Sequence, residues 1–450
     1  METTDDNRTL TEADGQRVRH ASMDLEQEEA ALEKQQEIEG EITQDRLVFP
    51  DGGLHAWLVV LGEACAFFVS FGLSNAWGVI ETYYLQTLLP NRPESDISWI
   101  GSFQIFGMFL GAGLSGPLFD RFGARWIMIV NSILFVFSIM MASLATEYYQ
   151  FFLTQGVLQG ISGGMIFTCS VTATNHWFNK KPGLALGIVT AGSSLGGVIW
   201  PIALNNMLNN TSSNALGFRW SLRVIGFMCL ALLIPACILV KGRLPRRNRV
   251  VFRDLDAVKN PQFVIFAIGI FLTFLGLFIP FFYVTIASIQ AGMDATLTFY
   301  LLAILNAVSI FGRVIPGLLA DRLGRFNMMF AACLSTGILV LLWLTSTEAW
   351  EIVLFSCAFG FASGTVVTLN GACVAQLCPY GDRIGLYVSM VMYIGSLGAL
   401  LGPPIGGWIV GAQHGAYWGA KLFSGLLIVA DSLFVGISRL LQERRLLAVK

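Results

Sequence analysis

The stretches GPLFDRFGAR (Gly116–Arg125) and GLLADRLGR (Gly317–Arg325) decide the fold of this chain. Both contain G-x-x-x-D-R-x-G, both interrupt apolar sequence, and their first glycines lie 201 residues apart. A motif repeated at this distance indicates two related halves. In an apolar chain, parallel halves are typical of a carrier with a central substrate site between them.

Composition places the chain in a lipid bilayer. Apolar residues make up 54% of the 450 residues and charged residues only 13%, whereas roughly a quarter of an ordinary soluble domain is charged. This length accommodates about twelve spans of about 20 residues each. We therefore predict an all-α membrane protein with twelve transmembrane helices in two six-helix pseudo-repeats, over residues 51–240 and 262–438.

The distribution of charge predicts the topology. Residues 1–50 hold fourteen Asp or Glu and five Lys or Arg, which is typical of a disordered acidic tail. The stretch Lys241–Lys259 holds seven Lys or Arg, and we expect residues 241–261 to link the halves. Because basic residues stay in cytoplasmic loops, this linker, the tail 439–450 and both termini are expected in the cytoplasm, with the protein in the plasma membrane.

The sequence lacks the residue patterns that several functional classes require. The four histidines are scattered, the eight cysteines include no Cys-x-x-Cys pair, and no G-x-x-x-x-G-K-[ST] loop occurs. We therefore expect no enzyme activity, no metal, no cofactor, no nucleic-acid partner and no ATP-driven pumping. Secondary transport of a small molecule is favoured, with a non-transporting nutrient sensor as the alternative.

The repeated motifs are candidates for a cytoplasmic gate. Their glycines permit close helix contact, and each Asp can pair with a basic residue or cap a facing helix. The alternative is that these charges only mark helix ends in the headgroup region. The candidate gating residues are Asp120, Arg121, Arg125, Asp321, Arg322 and Arg325.

The two D-R-x-G loops resemble the loop signature of the major facilitator superfamily, which implies its fold and alternating access. Pro50–Gly53, followed by Trp57, and Asn175–Gly187 resemble the first-span and fifth-span motifs of the monocarboxylate porter family, and Asp96–Gly101 is similar to its fungal branch. That branch includes carriers for uptake of carboxylates or riboflavin and others associated with export of secondary metabolites. The resemblance implies a small organic solute as substrate, with an organic anion as the expected class and proton symport as one coupling mode.

Two positions depart from that family's pattern. The resemblance implies a lysine in the first span, but Gly78–Ile80 are uncharged. It also implies an acid one turn before the arginine of the eighth span, but Ser309 precedes Arg313. These departures favour a larger metabolite over a simple monocarboxylate.

Arg313 is the principal candidate for substrate binding. An arginine in the middle of a span costs roughly 2.5 to 3.5 kcal/mol on insertion scales, so a partner is required. That partner is either a substrate anion or an internal group such as Asn306 or a backbone carbonyl. Further candidates within the spans are Asn75, Gln104, Asn306, Tyr283, Asn370 and Tyr393.

Two further predictions concern protons and glycans. Glu63, early in the first span, is the candidate proton carrier, and its alternative is a solvated carboxylate near the headgroups. Asn209 and Asn210 begin overlapping glycosylation sequons in a predicted external loop. Uptake and export, riboflavin-type uptake included, remain open at this level, as does the oligomeric state.

Overall fold

A computed structural model describes residues 50–92, 94–209, 217–243, 255–379 and 383–442. The expected disordered tail therefore lies outside the described residues, apart from Pro50, as do most of the linker and the last eight residues of the C-terminal tail. Of the two predicted glycan sites, Asn210 lies outside this part. Asn209 ends a helix, but its side chain is not described.

Twelve helices in the described chain are long and apolar enough to cross a membrane, which confirms the predicted number. The first six are α1 (Leu54–Leu88), α2 (Glu94–Phe122), α3 (Ala124–Ala142), α4 (Tyr148–Trp177), α5 (Pro182–Asn209) and α6 (Gly217–Leu239). The second six are α7 (Pro261–Gln290), α8 (Ala295–Leu323), α9 (Arg325–Leu342), α10 (Ala349–Leu377), α11 (Ile384–Ala412) and α12 (Trp418–Gln442). A short helix, Leu255–Lys259, precedes α7. The described residues contain no strand.

The two sets of six helices pack in the same pattern. In the N-terminal half, α1 packs on α5 and α6, α2 on α4, and α3 on α6; in the C-terminal half, α7 packs on α11 and α12, α8 on α10, and α9 on α12. The halves meet chiefly where α5 contacts α8 and where α2 contacts α11. The fold is therefore the predicted pair of pseudo-repeats.

Glycines set how closely α2 and α4 approach. A Cβ at Gly160 would lie 2.6 Å from the carbonyl oxygen of Gln104, and one at Gly164 would overlap the carbonyl oxygen of Met108. The spacing of four residues puts both glycines on one face of α4. Small residues at this spacing allow membrane helices to pack backbone to backbone.

The second half repeats this crossing. In α10, a Cβ at Gly360 would overlap the carbonyl oxygen of Leu305, and one at Gly364 would lie 2.6 Å from the Ser309 hydroxyl. The four contacts occupy matching places in the two halves, so the duplication extends from the loop motif to the helix packing.

Large apolar side chains cover the outer surface of the bundle. Examples at least half exposed are Phe227, Ile234, Phe311, Leu354 and Leu433. Exposed side chains of this size and number are expected where the solvent is lipid rather than water.

We expect Gly164→Ala to lower the melting temperature of the detergent-purified protein by several degrees, because the added methyl group forces α4 away from α2 and overpacking costs roughly 1 to 3 kcal/mol. Gly411→Ala is the matched control, since a Cβ there meets nothing within 4 Å and alanine favours helix. Equal melting temperatures for the two variants would contradict the role of this crossing.

Candidate functional site

A cavity of about 470 Å³ lies between the two halves. Side chains from α1, α2, α4, α5, α7, α8, α10 and α11 line it. Ile286 and Ile289 at one end of the lining are 42% and 56% exposed, whereas Arg313 is only 4% exposed. Along α8, the lining runs from Phe299 to Arg313, a rise of about 21 Å. The cavity is therefore deep, with Arg313 at its floor.

The cavity wall is mainly apolar and aromatic. Nine aromatic side chains line it: Phe71, Trp77, Phe109, Phe167, Phe274, Phe278, Phe281, Phe282 and Phe299. Two charged residues are part of the lining, Arg313 at the floor and Glu81, whose carboxylate accepts a 2.5 Å hydrogen bond from the Ser98 hydroxyl. An apolar enclosure with few polar groups suits a drug-sized organic ligand.

The guanidinium of Arg313 joins the two halves. Its Nη1 donates to the carbonyl oxygen of Thr190 at 2.6 Å and to the Ser193 hydroxyl at 2.7 Å, both in α5. Its Nε donates to the Ser309 hydroxyl at 3.1 Å within α8. The described residues supply no acceptor to Nη2. The expected internal partner is thus present as a backbone carbonyl, and one donor nitrogen remains for a ligand.

Asparagines from both halves contribute to the same cavity. The predicted residues Asn75, Asn306 and Asn370 all line it. Asn75 lies where α1 is interrupted after Ser74, and the amides of Asn75 and Asn306 both approach Gly197. Asn370 is 3% exposed, and its Oδ1 has no hydrogen-bond partner within the described residues. These amides can bind polar groups of a ligand.

Three other predicted binding residues lie outside the cavity lining. Gln104 is 4% exposed at the crossing of α2 and α4. The Tyr283 hydroxyl donates to the carbonyl oxygen of Pro403 at 2.9 Å, and the Tyr393 ring packs against Gly113. In this conformation the two tyrosines contact neighbouring helices instead of lining the cavity.

Glu63 is fully buried rather than solvated. Its carboxyl accepts a hydrogen bond from the Thr174 hydroxyl of α4, and its Oε1 has no partner in the described part of the chain. Glu63 is absent from the cavity lining. The alternative of a solvated carboxylate is therefore wrong for this structure, and a proton-carrying role remains a prediction.

The end of the molecule that carries the two D-R-x-G loops, here called the motif end, is closed by contacts between the halves. A buried cluster joins side chains of both halves there, among them Val171, Leu186, Val189, Leu369, Leu386 and Val391. Two aspartates lie beside this cluster, one in each half.

Asp120 caps a helix of the opposite half. The backbone N–H of Leu386, at the start of α11, donates to its carboxylate at 3.0 Å. A Cβ at Gly116 would overlap the carbonyl oxygen of Gly385, and the Gly116 N–H donates to the Ser389 hydroxyl at 2.9 Å. The motif glycine therefore lets α2 reach α11, and the motif aspartate binds the positive end of the helix dipole.

Asp321 makes the equivalent contact in the other direction. The N–H groups of Gly183 and Leu184, at the start of α5, donate to its two carboxylate oxygens at 2.8 and 2.9 Å. A Cβ at Gly317 would overlap the carbonyl oxygen of Gly183. Of the two readings of the motif aspartates, capping of a facing helix is the one observed.

The motif arginines differ in their surroundings. Arg325 donates from Nη2 to the carbonyl oxygen of Asn179 at 2.6 Å, which adds a further contact between the halves. Arg121, Arg125 and Arg322 are exposed at the surface. The contacts between halves at the motif end thus involve both aspartates and Arg325.

Comparisons with known proteins agree with this architecture. The family model described as Major Facilitator Superfamily matches residues 64–379 and 317–446. The chain belongs to the major facilitator superfamily. The agnestins efflux protein AgnL12 of Paecilomyces divaricatus is 43% identical over 86% of this chain and 87% of that protein. The aspyridones efflux protein apdF of Emericella nidulans is 41% identical over 85% and 77%.

A solved structure shares the fold. The human organic anion transporter MFSD10 superposes with a TM-score of 0.65 at 15% identity, over 85% of this chain and 98% of that chain. The family model and the named efflux relatives identify the chain as a major facilitator transporter and not an enzyme.

Several residues of the candidate site are not evident from the sequence. The carbonyl oxygen of Thr190 and the hydroxyl of Ser193 accept hydrogen bonds from Arg313, and the sequence alone does not single out either residue. Phe274 and Phe278 of the cavity wall resemble the many lipid-facing phenylalanines in sequence, so no sequence signal distinguishes them.

We expect Asp321→Ala to open the motif end. Hydrogen bonds to charged groups contribute about 1.5 to 3 kcal/mol each, so losing two such bonds should increase the open population at least tenfold. Double electron–electron resonance between spin labels at Lys180 and Arg322, both exposed and in different halves, would report this as a longer distance.

Asp294→Ala is the matched control. Asp294 accepts a hydrogen bond from the Leu297 N–H at 3.2 Å, so it caps its own helix α8 rather than a helix of the opposite half. Its variant should keep the parent distance distribution. The capping interpretation is wrong if Asp321→Ala also leaves that distribution unchanged.

Proposed function

We propose that this transporter exports a bulky organic anion across the plasma membrane by alternating access, with its termini in the cytoplasm. The observation that carries the proposal is Arg313, buried at the floor of an aromatic cavity with Nη2 open to a ligand. Guanidinium donors match a carboxylate or similar anion. The aromatic wall supports an apolar or aromatic body on the same ligand.

The cavity size favours a larger metabolite over a simple monocarboxylate. A volume of about 470 Å³ lies within the usual range for drug-sized ligands, roughly 300 to 1,000 Å³. A monocarboxylate of a few atoms leaves most of such a wall without contacts. Efflux proteins named for agnestins and for aspyridones are 43% and 41% identical to this chain, which supports export of a secondary metabolite. Placement in the monocarboxylate porter family remains a prediction from the sequence motifs.

The contacts of Arg313 suggest how binding and gating are coupled. Opening the motif end requires α5 to move from α8, which breaks the hydrogen bonds from Arg313 to Thr190 and Ser193. A buried guanidinium that loses its acceptors carries a large desolvation cost. A bound anion supplies replacement acceptors, so the loaded carrier changes conformation at lower cost than the empty one.

In this transport cycle, the contacts of Asp120 and Asp321 with helix N-termini of the opposite half form the gate. With the predicted topology, the motif end faces the cytoplasm, and the described conformation is open to the outside. Separation of the halves at the motif end exposes both carboxylates and both helix N-termini to water, which can replace the lost hydrogen bonds.

We expect Arg313→Gln to reduce transport of pyrene-1-sulfonate into proteoliposomes by about 10- to 150-fold, the equivalent of 1.5 to 3 kcal/mol for a charged hydrogen bond. The sulfonate is a permanent anion on an aromatic body. Pyrene-1-methanol, which lacks the charge, crosses the bilayer without a carrier and should equilibrate at the same rate with either protein.

Lys421→Gln is the matched control, because it also removes a positive charge from a span. Lys421 is also inside a span, but it donates to the carbonyl oxygen of Trp343 at 3.1 Å, away from the cavity lining. Its variant should transport the sulfonate at the parent rate. Undiminished sulfonate transport by Arg313→Gln would reject anion binding at this residue, and comparing exported metabolites with and without the gene would then identify the cargo class.

A further inference from the structure

The charge of Arg313 has no acidic partner in the described structure. Its three hydrogen bonds go to a backbone carbonyl and two serine hydroxyls, and the one ion pair of the described residues joins Arg92 to Asp96. Arginine stays protonated in proteins, and serine hydroxyls do not titrate near neutral pH. No proton is therefore gained or lost among these groups when an anion arrives.

The helices packed around Arg313 also supply no acidic partner to its guanidinium. The elements that α8 mainly contacts are α5, α7, α9 and α10. Neither α5 nor α7 contains any Asp, Glu, His, Lys or Arg, and α9 contains only the basic Arg325 at its start. In α10, Glu351 precedes Gly364, the residue beside Arg313, by a helix rise of about 20 Å.

The remaining acids near the transport path are engaged elsewhere. Asp321 lies eight residues beyond Arg313 in α8, about 12 Å along the axis, and caps α5. Glu63 and Asp431 accept hydrogen bonds from Thr174 and Thr273 and lie outside the cavity lining. Glu81 accepts a hydrogen bond from Ser98. The floor of the cavity is thus a fixed positive charge surrounded by neutral groups.

We infer that this carrier moves its substrate as an anion, without a coupled proton, and that the membrane potential supplies the energy. The inference rests on the proposed function, because it requires an anion bound at Arg313. One negative charge crosses the membrane in each cycle. An inside-negative potential then drives the anion outward, so the coupling mode itself favours export over uptake.

The membrane potential is large enough to drive export of the anion against a concentration gradient. A potential of 100 mV is worth about 2.3 kcal/mol per charge, which corresponds to a concentration ratio of about 50-fold for a monovalent anion. This ratio does not depend on which way the protein is inserted, because a uniporter follows the electrochemical gradient in both directions.

The test uses the full chain in proteoliposomes with pyrene-1-sulfonate as the probe. A potassium gradient with valinomycin sets an inside-positive potential of about 100 mV, which should raise internal probe about 50-fold at equilibrium. A pH gradient, imposed with equal potassium and valinomycin on both sides to hold the potential at zero, should produce no accumulation. Accumulation driven by the pH gradient, or insensitivity to the potential, overturns the inference and leaves the proposed function standing.

Absence of probe movement under every gradient, in protein that elutes as a single monodisperse peak, overturns the proposed function together with the inference. Glu63→Gln and Asp431→Asn address two buried carboxyls outside the cavity lining. Potential-driven accumulation should be the same in both variants as in the parent, whereas a pH-driven component that disappears in either variant would show proton coupling through the substituted carboxyl.

Ser309→Asp adds the missing titratable group. Its carboxylate would lie beside Nε of Arg313, because the serine hydroxyl is already 3.1 Å from that atom. We expect at least tenfold weaker potential-driven transport and a new dependence on pH. Ser309→Asn is the control of matched size and should show no pH dependence. Equal pH profiles for the two variants would contradict the isolation of Arg313.

Discussion

The buried guanidinium of Arg313 is the constraint on which the site depends. A positive charge inside a membrane bundle needs acceptors, and here α5 of the opposite half provides two of them. This requires close approach of α5 to α8: a Cβ at Gly187 would lie 2.5 Å from the carbonyl oxygen of Arg313. The same charge is therefore a contact between the halves and the floor of the cavity, and these two properties link binding to gating.

At the motif end, two negative charges likewise find their hydrogen-bond partners in the opposite half. Asp120 and Asp321 bind backbone N–H groups at helix N-termini, where partial positive charge and unsatisfied donors coincide. Neither contact requires a mobile basic partner at an exact distance. Because water can satisfy the same groups when the halves separate, such contacts can stabilise one conformation without making it permanent.

Four of the residues predicted from the sequence line the candidate cavity. Asn75, Asn306, Asn370 and Arg313 line the cavity because polar groups inside spans are costly unless they face the interior of the bundle. The same rule also selected Gln104, which is buried at the crossing of α2 and α4 and does not line the cavity. Polarity alone cannot distinguish a side chain that faces a cavity from one buried between two helices, since both escape lipid.

The membrane class, the twelve spans and the two related halves follow from the amino-acid sequence alone, because apolar runs and repeated motifs are local patterns. The closed motif end, the capping of opposite-half helices by the two aspartates, and the contacts of Thr190 and Ser193 with Arg313 are evident only in the folded molecule. Those contacts join residues more than 100 positions apart, and they depend on how closely whole helices approach. That distance is set by packing across the bundle, which no local pattern specifies.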